Sequence, residues 1–165
     1  MLTQEYLKKI LHYNPDTGVF TRIVSVSVNT RKGDVAGTKG LHRYASIKIK
    51  NRSYAAHRLV WLYMHGRLPD HDIDHINHVK TDNRLCNLRE ATRAENGRNR
   101  AMSSQNTSGF KGVFMEKKTG MWTAACKMNG VLHRLGRFKR AEDASLAYQK
   151  FAKQHHGEFF HDTTS

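Results

Sequence analysis

The first apolar positions at helical spacing are Leu7, Ile10 and Leu11, within TQEYLKKILH at residues 3–12. Thr3 stands where an N-cap belongs and NPDTG at 14–18 supplies a stop, so the pattern predicts a helix over 3–12. The period then changes. VFTRIVSVSV and RYASIKIK are β-favouring runs, the second alternating Ala45, Ile47 and Ile49 against Ser46, Lys48 and Lys50 before a turn at Asn51-Arg52. AAHRLVWLYMHG returns to the helical period from about Ala55 to His65, ended by Gly66 and closed off by Pro69. Together these elements predict a compact α+β scaffold.

That scaffold leads into HDIDHINH at 71–78. Downstream, Leu85, Leu88 and Ala91 carry a short apolar segment ending at Thr92, and Thr92-Arg93-Ala94-Glu95 fits a capping box that opens a helix bearing Asn96. A strand ending at Asp74, a turn-rich loop, a second strand and this helix make a ββα hairpin, in which Asp74 and Asn96 are able to converge. GRNRAMSSQNTSG at 97–109 has almost no large apolar residue and reads as a linker with a basic start. Beyond it, GFKGVFMEKKTG, MWTAACKMNG and VLHRLGRF form a three-stranded meander. RAEDASLAYQKFAKQHHG follows as a helix with Ala144, Ala147, Tyr148 and Phe151 on one face. The predicted organisation is α+β throughout: a module over 1–100 with its ββα core at about 70–100, a linker at 101–108, and a sheet-on-helix module over 109–165.

Composition narrows the function. Twenty-eight Lys and Arg against 14 Asp and Glu give a net charge of +14, which points to a polyanionic partner whose condensed counterions are released on binding. Charge alone does not separate DNA from RNA. No apolar run reaches the length of a membrane span, and MLTQEYLKKIL lacks the form of a signal peptide, so a soluble, intracellular protein with no membrane partner is expected. Cys86 and Cys126 lie far apart without a CxxC partner, which argues against a disulfide framework or a cysteine zinc site.

HDIDHINH admits several readings: a solvated loop, above all for His71 and Asp72; a zinc site using His71, His75 and His78; or a buried structural histidine. The wider pattern selects among them. HRLVW, DIDHIN and TDNRLCNLREATRAEN, from His57 through Asn99, together resemble the HNH nucleases of the phage and intron homing type. The resemblance implies that Asp74 and Asn96 ligate one Mg²⁺ or Mn²⁺ ion, that His75 is the general base, and that Asn87 orients His75. Arg58 becomes a candidate phosphate contact, Arg98 and Arg100 candidate DNA contacts, and Asn99 the alternative ligand under a different helix register. These residue types suit phosphodiester hydrolysis, since histidine titrates near neutrality and oxygen donors match a hard divalent cation. Two features stand apart from the pattern. Strict strand alternation would separate Asp74 from His75 unless the strand ends at Asp74, and the family usually has Gly where this chain has His78.

Residues 108–160 resemble the AP2 DNA-binding domain through FKGV at 110–113, Trp122, LGRF at 135–138 and AEDASLAY at 141–148. That resemblance implies a sheet that enters the major groove, with Lys111, Lys117, Lys118, Lys127, Arg134 and Arg137 facing DNA; Trp122 itself reads as a core residue clamping sheet to helix, with base contact as the alternative. Phe114 replaces an arginine common in plant members. The expected protein is a two-module, metal-dependent endonuclease acting at a specific site on double-stranded DNA. It would leave 5′-phosphate and 3′-hydroxyl ends and, as a monomer with one site, most simply nick. A homing-type role in a bacterial cytoplasm rests on the resemblance. The alternative is a non-catalytic DNA-binding regulator on the same scaffold.

Overall fold

The computed structural model describes residues 2–38, 44–98, 102, 105–128 and 130–156. In chain order its elements are α1 (Gln4–Ile10), β1 (Leu11–Asn14), β2 (Val19–Arg22), β3 (Val35–Ala36), β4 (Ser46–Ile49), β5 (Arg52–Ala55) and α2 (Ala56–His65). There follow β6 (Asp72–His75), β7 (Leu88–Ala91), α3 (Arg93–Arg98), β8 (Val113–Glu116), β9 (Met121–Met128), β10 (Val131–Phe138) and α4 (Ala141–His156). Two compact units result, Met1–Arg93 and Ala94–Ser165, with the division falling inside α3.

In the first unit, Thr3 caps α1 by accepting the Tyr6 N–H, and the helix ends at Ile10 rather than at residue 12. Leu11 turns extended and opens β1, where it stays fully buried. Position 11 is therefore apolar for the strand, and the helical spacing that included it was coincidental. β2 stops at Arg22, because the valines beyond it find no strand partner and Val26 and Val28 remain exposed. The β4–β5 hairpin turns at Lys50 and Asn51, both at positive φ, one residue earlier than the sequence suggests, and Arg52 already belongs to β5. α2 follows at once and ends on Gly66 in the left-handed conformation.

Leu7, Leu11, Phe20, Ile47, Leu59 and Val60 close the core of this unit, with the rings of Tyr13, Phe20 and Tyr63 packed at 5.1–5.8 Å centroid distances. Ile73 and Leu88 join the same core, which anchors the antiparallel β6–β7 ribbon to α2 and the N-terminal hairpin. The expected end of β6 at Asp74 is not found: the strand runs through His75, which pairs with Leu88, so alternation puts Asp74 and Arg89 on one face and Ile73 and His75 on the other.

The second unit is an antiparallel sheet of order β10-β9-β8 with α4 packed on one face. Val113, Ala124, Cys126, Ala144, Tyr148 and Ala152 form its buried centre, and Trp122 and Phe151 pack against them. Gly112 makes this packing possible. Its φ is +71°, and a Cβ there would lie 2.2 Å from the Tyr148 ring and 2.8 Å from the Ala125 carbonyl oxygen. Gly112→Ala is therefore expected to destabilise this unit by more than about 2 kcal/mol, as a fall in its unfolding midpoint in denaturant while the first unit's transition stays in place.

Candidate active site

Residues 76–84 connect β6 towards β7 through a loop held by polar side chains. Asn77 accepts the Val79 N–H in a local turn and donates to the Asp82 carboxylate at 2.8 Å. Asp82 also receives the Arg84 guanidinium at 2.6 and 2.8 Å, and these hydrogen bonds hold its carboxyl down to about 2. Asn87 sits inside the loop. It accepts the Asn77 N–H at 3.0 Å and donates to the Asp82 carbonyl at 2.8 Å, so both ends of its amide serve the backbone.

The His75 ring meets a different amide. Its Nε2 lies 3.3 Å from Oδ1 of Asn83, and both residues are buried. Asn83 Nδ2 donates to the Thr81 carbonyl, which fixes the amide with its oxygen towards the ring. An amide oxygen only accepts, so Nε2 of His75 is the donor in this contact, and the neutral ring then has its lone pair on Nδ1. The Asn83 carbonyl in turn accepts the Tyr13 hydroxyl at 2.8 Å, across 70 residues of sequence, and burial pushes that hydroxyl up to about 12. Gly18, in the β1–β2 turn, lies flush against the Asn83–Arg84 backbone: a Cβ there would sit 2.5 Å from the Arg84 nitrogen. The N-terminal hairpin thus braces the residue that positions His75.

Asp74 precedes His75 on β6 and stands directly opposite Arg89 on β7. Arg89 donates to Asp74 Oδ2 from Nε at 3.0 Å and from Nη2 at 2.9 Å, with both side chains largely out of solvent. Burial lowers the pKa of His75, while the Asn83 hydrogen bond and the charges of Asp74 and Asp82 pull it upward. The ring of His57, on α2, stands edge-on to His75 at 5.3 Å, and Tyr44 closes the group at 4.9 Å from His57 and 5.6 Å from His75. Lys80 Nζ lies 5.4 Å from the Tyr44 ring centre.

The residues singled out in the sequence separate into groups. Asp74, His75 and Asn87 lie together on the β6–β7 ribbon and its loop, with Asn87 acting on the loop and Asn83 on the ring. Asn83 was given no role, although it lies within the TDNR stretch of the family-like pattern, in an Asx-rich turn eight residues after the histidine. Arg58 spans from α2 to the Pro69 and His71 carbonyls, at 3.4 and 3.5 Å. Asn96 is half-buried on α3, Arg98 ends that helix, and the Arg98 side chain, Asn99 and Arg100 lie outside the described residues. His78 has φ +62°, the left-handed region that a glycine occupies without strain, so it keeps the backbone conformation that the family's usual residue favours. His71 and Asp72 are exposed. Among the described residues no three His, Cys, Asp or Glu side chains group to share a metal, so His71, His75 and His78 do not form a zinc site.

In the second unit, Lys127, Arg134 and Arg137 are exposed, and their pairings place them with Phe114 and Thr123 on the sheet face away from α4. Arg137 is engaged by Glu116 at 3.0 Å. Lys117 and Lys118 are exposed at the β8–β9 turn, while Lys111 is half-buried and burial lowers its pKa. No described helix is long and apolar enough to cross a membrane.

Comparison with known proteins places this geometry in context. Residues 54–98 match the family model described as HNH endonuclease, which covers β6, β7, α3 and the loop with Asn83 but not the sheet of the second unit. An uncharacterized HNH endonuclease of Acanthamoeba polyphaga mimivirus is 32% identical over 105 residues, 62% of this chain and 54% of the relative, so the chain spans about half of that protein. Protein 3.8 of Escherichia phage T7 is 32% identical over 104 residues, 62% of this chain and 85% of the relative. No solved structure matches.

His57 supplies a pH test of this packing. Burial, reinforced by the charges of His75 and Arg58, pushes its pKa from 6.5 to about 4, and its Nδ1 has no hydrogen-bond partner among the described residues. A lowered folded-state pKa means that the unfolded chain binds more protons between those values. The stabilisation is therefore complete above pH 6.5 and lost as the pH falls towards about 4. The first unit should lose roughly 1–3 kcal/mol across that window. Asp82 and Glu90, both held down to about 2, act at lower pH. Denaturant midpoints measured from pH 7 downward should show this slope, to which His75 adds through its own lowered pKa, and His57→Phe should reduce it.

Proposed function

The chain belongs to the HNH endonuclease family, and from that membership we propose that it is a metal-dependent DNA endonuclease whose module over 1–100 cleaves and whose module over 109–165 positions it on the duplex. The observation that carries the reading is His75 held through Nε2 by the buried Asn83 amide, one residue after Asp74 on β6. A histidine fixed in that tautomer presents Nδ1 as the base. In the proposed reaction Nδ1 takes a proton from water as the water oxygen forms its bond to phosphorus. The bond from phosphorus to the 3′ oxygen breaks and that oxygen takes up a proton from solvent, leaving 5′-phosphate and 3′-hydroxyl ends. Imidazole burial favours the neutral form that this step needs.

The site suits a divalent cation on one internal ground: the buried Asp74 carboxylate already attracts a positive group, the Arg89 guanidinium. Asp74 would hold the ion, with Asn96 as the second ligand on the family resemblance. Mg²⁺ or Mn²⁺ would there neutralise charge on the phosphate and the departing oxygen. The Asn77, Asp82 and Asn87 network keeps the loop, and with it Asn83, in place. One such site per monomer would most simply nick, and a homing-type role at a specific sequence is part of the same reading.

The second unit's role rests on the net charge of +14 and on the open sheet face that carries Lys127, Arg134 and Arg137. Basic side chains there would grip phosphates or read base edges, as the AP2 resemblance implies.

Two experiments test these assignments. Incubated with candidate target DNA and Mg²⁺ or Mn²⁺, the protein should cut; His75→Ala should slow cutting by roughly 10²–10⁴-fold, and excess EDTA should stop it. Binding without any nicking by the unaltered protein would favour the non-catalytic regulator. For the second unit, Lys127→Ala with Arg134→Ala should weaken duplex binding and reduce the slope of log affinity against log salt by about 2; an unchanged slope would remove that face from the interface.

A further inference from the structure

We propose that Arg89 is a positioning residue that serves as a built-in counter-cation for Asp74, and that its displacement gates metal capture. The inference rests on the nuclease reading above. The register brings Arg89 to Asp74: in an antiparallel ribbon, directly opposed residues put their side chains on the same face within about 4.5–5.5 Å of each other at Cβ, and Asp74 opposes Arg89. Both guanidinium donors converge on one oxygen, Oδ2, at 3.0 and 2.9 Å. Only 7% of the Asp74 side chain and 13% of the Arg89 side chain reach solvent, so the carboxylate needs a cation whenever the site is otherwise empty.

A divalent ion on Oδ2 would meet the guanidinium at close range in a partly desolvated place, where like charges repel strongly. The two cations therefore compete for this oxygen. Arg89 yields most readily when an alternative anion is at hand, and a DNA phosphate offers the planar fork two oxygens at once. Metal capture and DNA binding are then coupled: without DNA the guanidinium keeps the metal affinity low, and with DNA it moves to phosphate and leaves Asp74 to the ion. The carboxylate is never left without a positive partner.

The test reads Mn²⁺ binding, by the loss of the free-ion electron paramagnetic resonance signal, and so does not depend on cleavage. In the absence of DNA, Arg89→Gln in the full chain should bind Mn²⁺ roughly tenfold more tightly than the unaltered protein. Arg89→Lys, a single ammonium in place of the fork, should bind it a few-fold more tightly and carries the test if the glutamine variant does not fold. In a His75→Ala background, which prevents turnover, adding a DNA duplex should raise Mn²⁺ affinity more with Arg89 present than with Arg89→Gln. Asp74→Asn fixes the origin of the signal and should abolish binding. If Asp74→Asn abolishes binding but neither Arg89 variant tightens it, the gate is overturned while the nuclease reading stands. Unchanged binding in Asp74→Asn would instead remove Asp74 as the ligand, and the gate with it.

Discussion

The hydrogen bond from His75 Nε2 to Asn83 Oδ1 is the interaction around which the first unit is organised. Alone it is a 3.3 Å contact of ordinary strength. Its value lies in direction, because an acceptor on one ring nitrogen decides which nitrogen is left basic. Asn83 can act in this way only if its own amide cannot turn, and three contacts prevent it: the Thr81 carbonyl on the amide nitrogen, the Tyr13 hydroxyl on the backbone carbonyl, and the Gly18 turn against the chain. The N-terminal hairpin, remote in sequence, is thereby part of the site.

A second layer holds the loop itself. Asn87 spends both ends of its amide on the backbone of 77 and 82, and Asp82 gathers Asn77 and Arg84. Beside the ribbon, Arg67 forms a two-bond ion pair with Glu90, and Glu90 also accepts the Asp70 N–H. These exposed charges add little energy singly, but they fix the approach of the segment after α2 to β7. The site is thus a small ribbon pinned by amides in its loop, by the Arg67–Glu90 ion pair along β7, and by Ile73 and Leu88 in the core.

What was legible in the sequence depended on how far each feature relies on its neighbours. The Thr3 cap, the Gly66 stop and the apolar face of α4 are set by residues within one or two turns, and they stand where the pattern puts them. β3 has two residues and exists because Phe20 and Thr21 offer it an edge, a tertiary fact that no local period carries. The second strand-like half of VFTRIVSVSV has β-branched residues without a partner, so propensity there had nothing to pair with. Within the site, DIDHIN and the downstream asparagines marked the region, yet the amide that meets the histidine is Asn83, selected by Tyr13 from 70 residues away. Arg89 became visible as a partner of Asp74 only once the β6–β7 register was known.

The central claim is that Asn83 fixes His75 with its proton on Nε2 and its lone pair on Nδ1. Long-range nitrogen–proton NMR correlation of the imidazoles, in the full chain above pH 7, reads this directly. The His75 ring should show the Nε2–H tautomer, and it should lose that single form in Asn83→Leu. An Nδ1–H tautomer in the unaltered protein would contradict the account.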